Sequence, residues 1–471
     1  MRKLNFRLLL IIVFLLLFLL SGIFEGAAGW MQLLGIKPSR HILFPITGTF
    51  YNPGPYCAFL GMTIPLALFY ILEKKSALLY WVSMVLIIIS LPLMPMLLGR
   101  TGWIAAAAPC LYIAFRLKWI PTPRGRTLAI WSCAGFAALL FMVYLKPASA
   151  LGRLLIWRNG LSALISHPLG VGYAKVAGAL GEAQEQYFSS HPSTFLDAVA
   201  GSPSSAFNEY LQIGIAFGIP AMIIFIAVLL LACYLADRAK NFGVAASTGA
   251  FAIICLSSYP LQFPEFVGAL AVLIILALLC SDLKAVSIVP VILLTVCCTI
   301  PLIFEMNRRN MLSEHWKRHK HAYSYHLSEN DEKHLDSLAL EMIWNADFYF
   351  DYGKSLRGNG RFEKSTEILK KGVEVSSDPM FLNLIGRNYQ SIGRYDSAEH
   401  YYSRSINRLP GRLYPYYLSA RLYSDSLSFD SVKFNAIYLK AMRLTPKVMS
   451  PAIKDMKKEL QILRDSLKSL E

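Results

Sequence analysis

Long apolar runs separated by short basic connections fill the first two thirds of the chain. Nine are candidate membrane helices: Leu8–Gly22, then 56–72, 77–98, 102–117, 127–145, 210–236, 243–260, 263–280 and 285–305. Most approach the ~20 residues a helix needs to cross a bilayer, and the two shortest reach that length only with their flanks. Lys74–Lys75, the cluster Arg116, Lys118, Arg124 and Arg126, and the pair Arg238 and Lys240 alternate with less basic connections. Basic residues in short loops mark the cytoplasmic side, so 23–55, 146–209 and everything after Phe304 are expected outside. Arg308 and Arg309 run against that trend, but long translocated domains largely escape it. The first run has two readings. It is a span preceded by Arg2, Lys3 and Arg7, or a cleaved signal peptide for which "EGAAGW" offers small residues. The remaining topology is the same in both.

After Phe304 the pattern becomes helical and polar-faced, and it repeats. "YGKSLRGNGRFEKSTEILKKGVEV" (352–375) and "IGRNYQSIGRYDSAEHYYSRSINR" (385–408) align at an offset of 33, pairing Gly353 with Gly386 and Gly360–Arg361–Phe362 with Gly393–Arg394–Tyr395. A close-packed small residue, a glycine turn and an aromatic residue at that period describe a tetratricopeptide-like helical hairpin. A degenerate third unit spans 414–446 and closes at Pro446. The plainer alternative is a set of generic helical hairpins. The expected fold is all-α. A polytopic bundle occupies 1–305 with an outer loop at 146–209, a linker follows at 306–339, and a soluble repeat domain fills 340–471. Such arrays usually bind partners and carry no chemistry of their own.

Composition agrees with the pattern. Of 471 residues, 55% are hydrophobic and 16% charged, and mean hydropathy is +0.45. These are values of an integral membrane protein. The net charge of +16 fits cytoplasmic loops and lipid headgroups, and it is weak support for a nucleic-acid partner. All eight cysteines lie in or beside apolar segments, which leaves no disulfide framework and no paired-cysteine metal site.

Polar side chains gather in the outer loop: Arg153, Arg158, His167, Glu182, Glu185, His191, Asn208 and Glu209 among them, with Arg100 at the outer end of the third span. Alone, Arg100 reads as a side chain snorkelling to the interface, and Arg153 and Arg158 as a solvated basic face. Together, planar guanidinium forks on one membrane face suit phosphate oxygens, and a pyrophosphate at the bilayer surface is their natural ligand. Phosphate-loop, dinucleotide and His-Glu-x-x-His motifs are missing, as is Asp-x-Asp in the outer loop. Nucleotide and metal mechanisms therefore have little support, and no cofactor is expected. Asn208 and Glu209 have an ordinary reading as a helix cap and a first-turn acid. His167 sits in a glycine-rich turn.

The ordered set "GTFYNPGPYCAFLGMTIPLA" (48–67), "GRTGW" (99–103), "GRLLIWRNGLSALISHPLGVGYAKV" (152–176) and "FNEYLQIGIAFGIPAMIIF" (207–225) resembles the O-antigen ligase-like superfamily over roughly residues 45–280. That superfamily includes lipopolysaccharide O-antigen ligases, Wzy-type polymerases and protein O-oligosaccharyltransferases, some with a similar C-terminal repeat domain. The resemblance implies a multi-helix glycosyltransferase of the bacterial inner membrane, and the expected topology then makes the C-terminal domain periplasmic. The donor would be an undecaprenyl-diphosphate-linked glycan and the acceptor a lipid A core, a glycan or a protein. Arg100 and Arg153, the latter four residues before Trp157, match arginines taken to hold the pyrophosphate. Arg158, Asn208 and His167 are the candidate substrate contacts.

One departure stands out. Ligases of this family usually carry histidine directly before the asparagine of "NEYLQ", where it is taken to activate the acceptor hydroxyl; here that residue is Phe207. A phenyl ring accepts no proton. Glu209 and His191 are the replacement candidates, and two further readings remain: a repeat-unit polymerase, or an inactive membrane scaffold whose repeats recruit a protein partner.

Overall fold

A computed structural model describes residues 6–97, 99–120, 125, 147–192, 195–323, 327–445 and 449–468. The described residues are helical, with no β-strand among them, and the chain divides into two compact units. The first comprises Met1–Leu145, Phe207–Tyr210 and Ala221–Arg309; the second comprises Lys146–Ala206, Leu211–Pro220 and Asn310–Glu471.

In the first unit, α1 (Phe6–Leu33), α2 (Pro53–Glu73), α3 (Ala77–Ser90) and α4 (Arg100–Arg116) precede the loop. The expected span 127–145 lies outside the described residues. Helix α2 starts where Asn52 accepts the Gly54 amide at 2.9 Å and Pro53 takes the first helical position, both favourable at an N-terminus. It is the buried centre of the bundle, since almost every residue from Pro55 to Ala67 is buried. Small residues permit this: a Cβ at Gly61 would overlap the Gly102 carbonyl, and one at Gly102 the Cys57 carbonyl, so α2 and α4 meet at backbone distance. Gly22, Gly26 and Gly29 do the same along α1, where side chains at any of them would strike Leu86 or Thr63, Ile89 and Tyr56.

Helices α7 (Glu209–Phe217), α8 (Ile219–Arg238), α9 (Phe242–Cys255), α10 (Pro264–Cys280) and α11 (Ala285–His319) follow the loop. Two expected spans are corrected. The run 210–236 is broken at Gly218, whose φ of +91° leaves the helix, and the Ile219 amide donates to Pro168 O at 2.9 Å instead. The run 285–305 does not end at the membrane; α11 continues to His319, with Glu305 paired to Arg308 and Arg309 and Glu314 paired to Lys317 one turn on. Among the described residues, four helices are long and apolar enough to span a bilayer (α1, α2, α8 and the apolar part of α11), and α3, α9 and α10 are shorter apolar helices. The chain is a multi-pass membrane protein.

The ends of the first unit differ. At one, the Arg7 Nε bonds Leu279 O at 2.7 Å, Arg116 pairs with Asp237 at 2.8 Å, and Asn241 donates to Tyr70 Oη at 3.2 Å. Lys74, Lys75 and Lys240 lie at the same helix ends. At the other lie Thr49, Arg100, Asn208, Glu209 and Glu265, at the opposite ends of these helices or in the connections between them.

The second unit joins the loop helices α5 (Pro147–Ser166) and α6 (Val176–Ser190) to α12 (Glu329–Glu341) and the hairpins α13/α14 (Ala346–Gly358, Phe362–Val375), α15/α16 (Met380–Ser391, Tyr395–Arg408) and α17/α18 (Leu413–Ser424, Ser431–Arg443), then α19 (Pro451–Lys468). The repeat offset has a direct physical basis. A Cβ at Gly353 would strike Leu369 of its hairpin partner, one at Gly386 would strike Tyr402, and Gly360 and Gly393 make the turns at φ +74° and +76°. Residues 310–341 are largely helical, and Trp316 is buried edge-on against Phe348 at 4.9 Å. Pro446 lies outside the described residues.

Candidate functional site

Three of the candidate residues belong to the first unit. Arg100 opens α4 and is half-buried, and beside it Thr101 Oγ1 lies 2.8 Å from Ser257 Oγ. Phe207 takes a left-handed φ of +48° and sets its ring edge-on against Tyr259, 5.1 Å between centroids. Asn208 donates from Nδ2 to Leu256 O at 3.2 Å. Glu209 is 1% exposed, and its Oε2 accepts the Leu261 amide at 3.3 Å. It lies ahead of the span Ile219–Arg238, and burial pushes its carboxyl up to about 8, against a lowering by that one amide. Burial dominates.

The other four belong to the second unit. Arg153 and Arg158 both stand on α5, but five residues at 3.6 per turn place them about 140° apart around it. Arg153 is half-buried; Arg158 is exposed, with its guanidinium 3.8 Å from the ring centre of Tyr187. The exposed His191 stacks on that same ring at 4.8 Å, its Nδ1 3.1 Å from Tyr187 O. Arg158, Tyr187 and His191 thus form one cluster on α5 and the C-terminal end of α6. His167 is exposed, and its carbonyl accepts the Gly170 amide at 2.9 Å in the turn after α5.

That turn is built for a backbone clip. Val171 N donates to Ile215 O and Gly172 N to Ala216 O, each at 2.9 Å, while Ile219 N returns a bond to Pro168 O. Gly170, Gly172 and Gly218 all hold φ near +90°, which only glycine adopts without strain. A Cβ at Gly170 would lie 2.6 Å from Ala216 O. The motif "HPLGVGY" therefore serves to fasten the loop to the break between α7 and α8.

The motif order and these placements meet the comparisons with known proteins here. Residues 54–226 match the O-antigen ligase family. Residues 381–408 match the tetratricopeptide repeat. These matches bear out the resemblance read from the sequence, and the matched ligase region holds every candidate residue named above. No curated protein matches the chain.

Sequence reasoning missed two groups. Tyr187, which links Arg158 to His191, carries no motif. Glu25 is buried within apolar α1; its Oε1 accepts from Thr49 Oγ1 at 2.6 Å and its Oε2 from the Thr49 amide at 3.0 Å. Glu265 Oε1 lies 3.4 Å from the same hydroxyl, and with Arg40 these groups line a cavity of about 530 Å³ in the first unit. The available signal was a carboxylate inside a 28-residue apolar helix, where an ionisable side chain is costly.

Proposed function

We propose that this chain is a glycan transferase of the outer face of the bacterial cytoplasmic membrane, moving an undecaprenyl-diphosphate-linked glycan to an acceptor hydroxyl. The observation that carries this reading is the family match across 54–226, because that stretch holds Arg100, Arg153, Arg158 and the Asn208–Glu209 pair together. In the reaction the bond from the anomeric carbon to the diphosphate oxygen breaks, and the acceptor oxygen bonds that carbon from the opposite face. The hydroxyl proton passes to a base. Charge grows on the departing diphosphate, and guanidinium donors fixed in a water-poor site stabilise that growth. Arg100 and Arg153 take this role, and Glu209, beside the position vacated by histidine, takes the proton. A lipid A core, a glycan or a protein serves as acceptor, and the residues after Arg309 lie in the periplasm.

The test is transfer by the purified chain from a lipid-linked donor. Arg153→Ala should cost about 2–4 kcal/mol of transition-state stabilisation, roughly thirtyfold to nearly a thousandfold in rate. Arg158→Ala should cost less, since that guanidinium is engaged on the Tyr187 ring. Equal and mild effects would remove the pyrophosphate assignment. No response to Arg100→Ala and Arg153→Ala, at unchanged membrane levels, would favour a scaffold.

Phe207 stands where the ligases carry histidine, and that departure leaves a second reading, a repeat-unit polymerase. Glycan profiles of a deletion strain separate the two. Loss of all long glycan from lipid A indicates a ligase, single-repeat caps a polymerase, and altered glycoproteins with normal lipopolysaccharide a protein transferase.

A further inference from the structure

The face of the repeat array formed by the second helices of its hairpins, α14 and α16, already has an occupant: α6 of the outer loop. Two glycines on one face of α6 bring it to backbone contact. A Cβ at Gly178 would overlap the Glu374 carbonyl, and one at Gly181 would lie 2.8 Å from Ser377 Cα. One turn on, Glu185 accepts from Arg404 Nε at 2.6 Å and from Arg408 Nη2 at 2.9 Å. Arg408 is only 1% exposed, so its charge depends on that carboxylate. Lys175 pairs with Glu374 at 2.8 Å, and Ser377 Oγ donates to Pro203 O at 2.8 Å.

The docking continues into α5. Gln184 Nε2 donates to Arg408 O at 2.6 Å and to Gly201 O at 2.9 Å, while Gln184 Oε1 accepts from the buried Asn159 at 3.4 Å. Leu409 packs with Leu155, Phe188 and Ala200 in one small core. Asn159 and Leu155 stand on the same helix as Arg153 and Arg158.

We infer that this face of the repeat array has the chain's own outer loop as its partner, and that Glu185, Arg404 and Arg408 are positioning residues for glycan transfer. They hold α6, and through Asn159 and Leu155 they hold α5, in the geometry that presents Arg153 to the donor diphosphate. This rests on the transferase reading above. It gives the array a part in the reaction without a catalytic group of its own, and it leaves α14 and α16 closed to an external protein.

The test uses the full chain in nanodiscs with an undecaprenyl-diphosphate-linked oligosaccharide. Glu185→Arg places three cations together and should speed amide exchange across 176–190. It should also lower kcat/KM at least tenfold, chiefly through KM for the lipid-linked donor. The double variant Glu185→Arg, Arg404→Glu again sets one acid between two guanidiniums and should recover most of both readouts. Glu185→Gln, which keeps shape and removes charge, should give an intermediate loss and serves if the arginine variant fails to accumulate. Faster exchange across α6 with donor KM and kcat at parent values would overturn the inference, as would a loss the double variant does not repair. A parent chain that transfers nothing would instead remove the reading of function on which it rests.

Discussion

Glu209 joins burial to chemistry. Its carboxyl titrates near 8, raised from an ordinary 4.5 by burial, so at neutral pH it is mostly protonated in the fold. If it is the base, transfer should climb about tenfold per pH unit below 8 and level off above, as the proton-accepting form fills. Glu209→Gln should flatten that profile and lower the rate by about 10²–10⁴. Near-parent transfer by the glutamine variant, with the slope intact, would assign Glu209 to holding the Leu261 amide and nothing more. Stability follows the opposite trend with pH. A carboxyl neutral in the fold and ionised when unfolded contributes stability fully present below about 4.5, and that contribution is lost as pH rises to about 8. The glutamine variant should lack that decline.

Among the elements, the clip between "HPLGVGY" and the α7–α8 break separates two costs that glycine usually combines. Gly170 and Gly172 share φ near +90°, but only Gly170 has backbone within reach of an added Cβ. Gly172→Ala should lower stability by about 1–2 kcal/mol of backbone strain, and Gly170→Ala by more, because Ala216 must also move. Melting temperatures in detergent would rank them, and equal losses would show that the close approach is relaxed at no cost. The clip also shows where the sequence stops being legible. The glycines of "HPLGVGY" read as backbone geometry, but the apolar stretch through "AFGIP" reads as one helix. Nothing in it announces that the Ile219 amide donates to a carbonyl 51 positions earlier. The repeats were the opposite case, since Gly353 and Gly386 meet their partners 16 residues on in both hairpins and local spacing carries that information. The bundle helices were legible from apolar runs, whereas the ends set by Gly218 and by the polar ion pairs of α11 were not. Of the site, Arg100, Arg153 and Arg158 stood out in the sequence as single candidates, by residue type and position. That Arg158 is spoken for by an aromatic ring was not legible there.

For the molecule as a whole, the first unit carries Arg7, Lys74, Lys75, Arg116, Arg238 and Lys240 at one set of helix ends and the candidate residues Arg100, Asn208 and Glu209 at the other. Basic residues in short loops stay on the cytoplasmic side. A reporter active only in the cytoplasm, fused after Glu471, should therefore stay silent, and one fused at Lys240 should be active. A bright C-terminal fusion would invert the topology and move the proposed site to the wrong side for a lipid-linked donor.

The Glu185–Arg404 bond has a consequence for how such a chain matures. Its partners are 219 residues apart, and at about 5–20 residues per second the ribosome needs roughly 10–45 s to supply the second after the first. Throughout that interval the segment 146–209 lacks the helices that cover Gly178 and Gly181. Its α6 waits with an unpaired acid and a bare glycine face, a state open to proteases and to early mispairing. Under the proposed function, the order of synthesis makes this segment the last part of the site to be finished, and transfer should begin only once the C-terminal helices are complete.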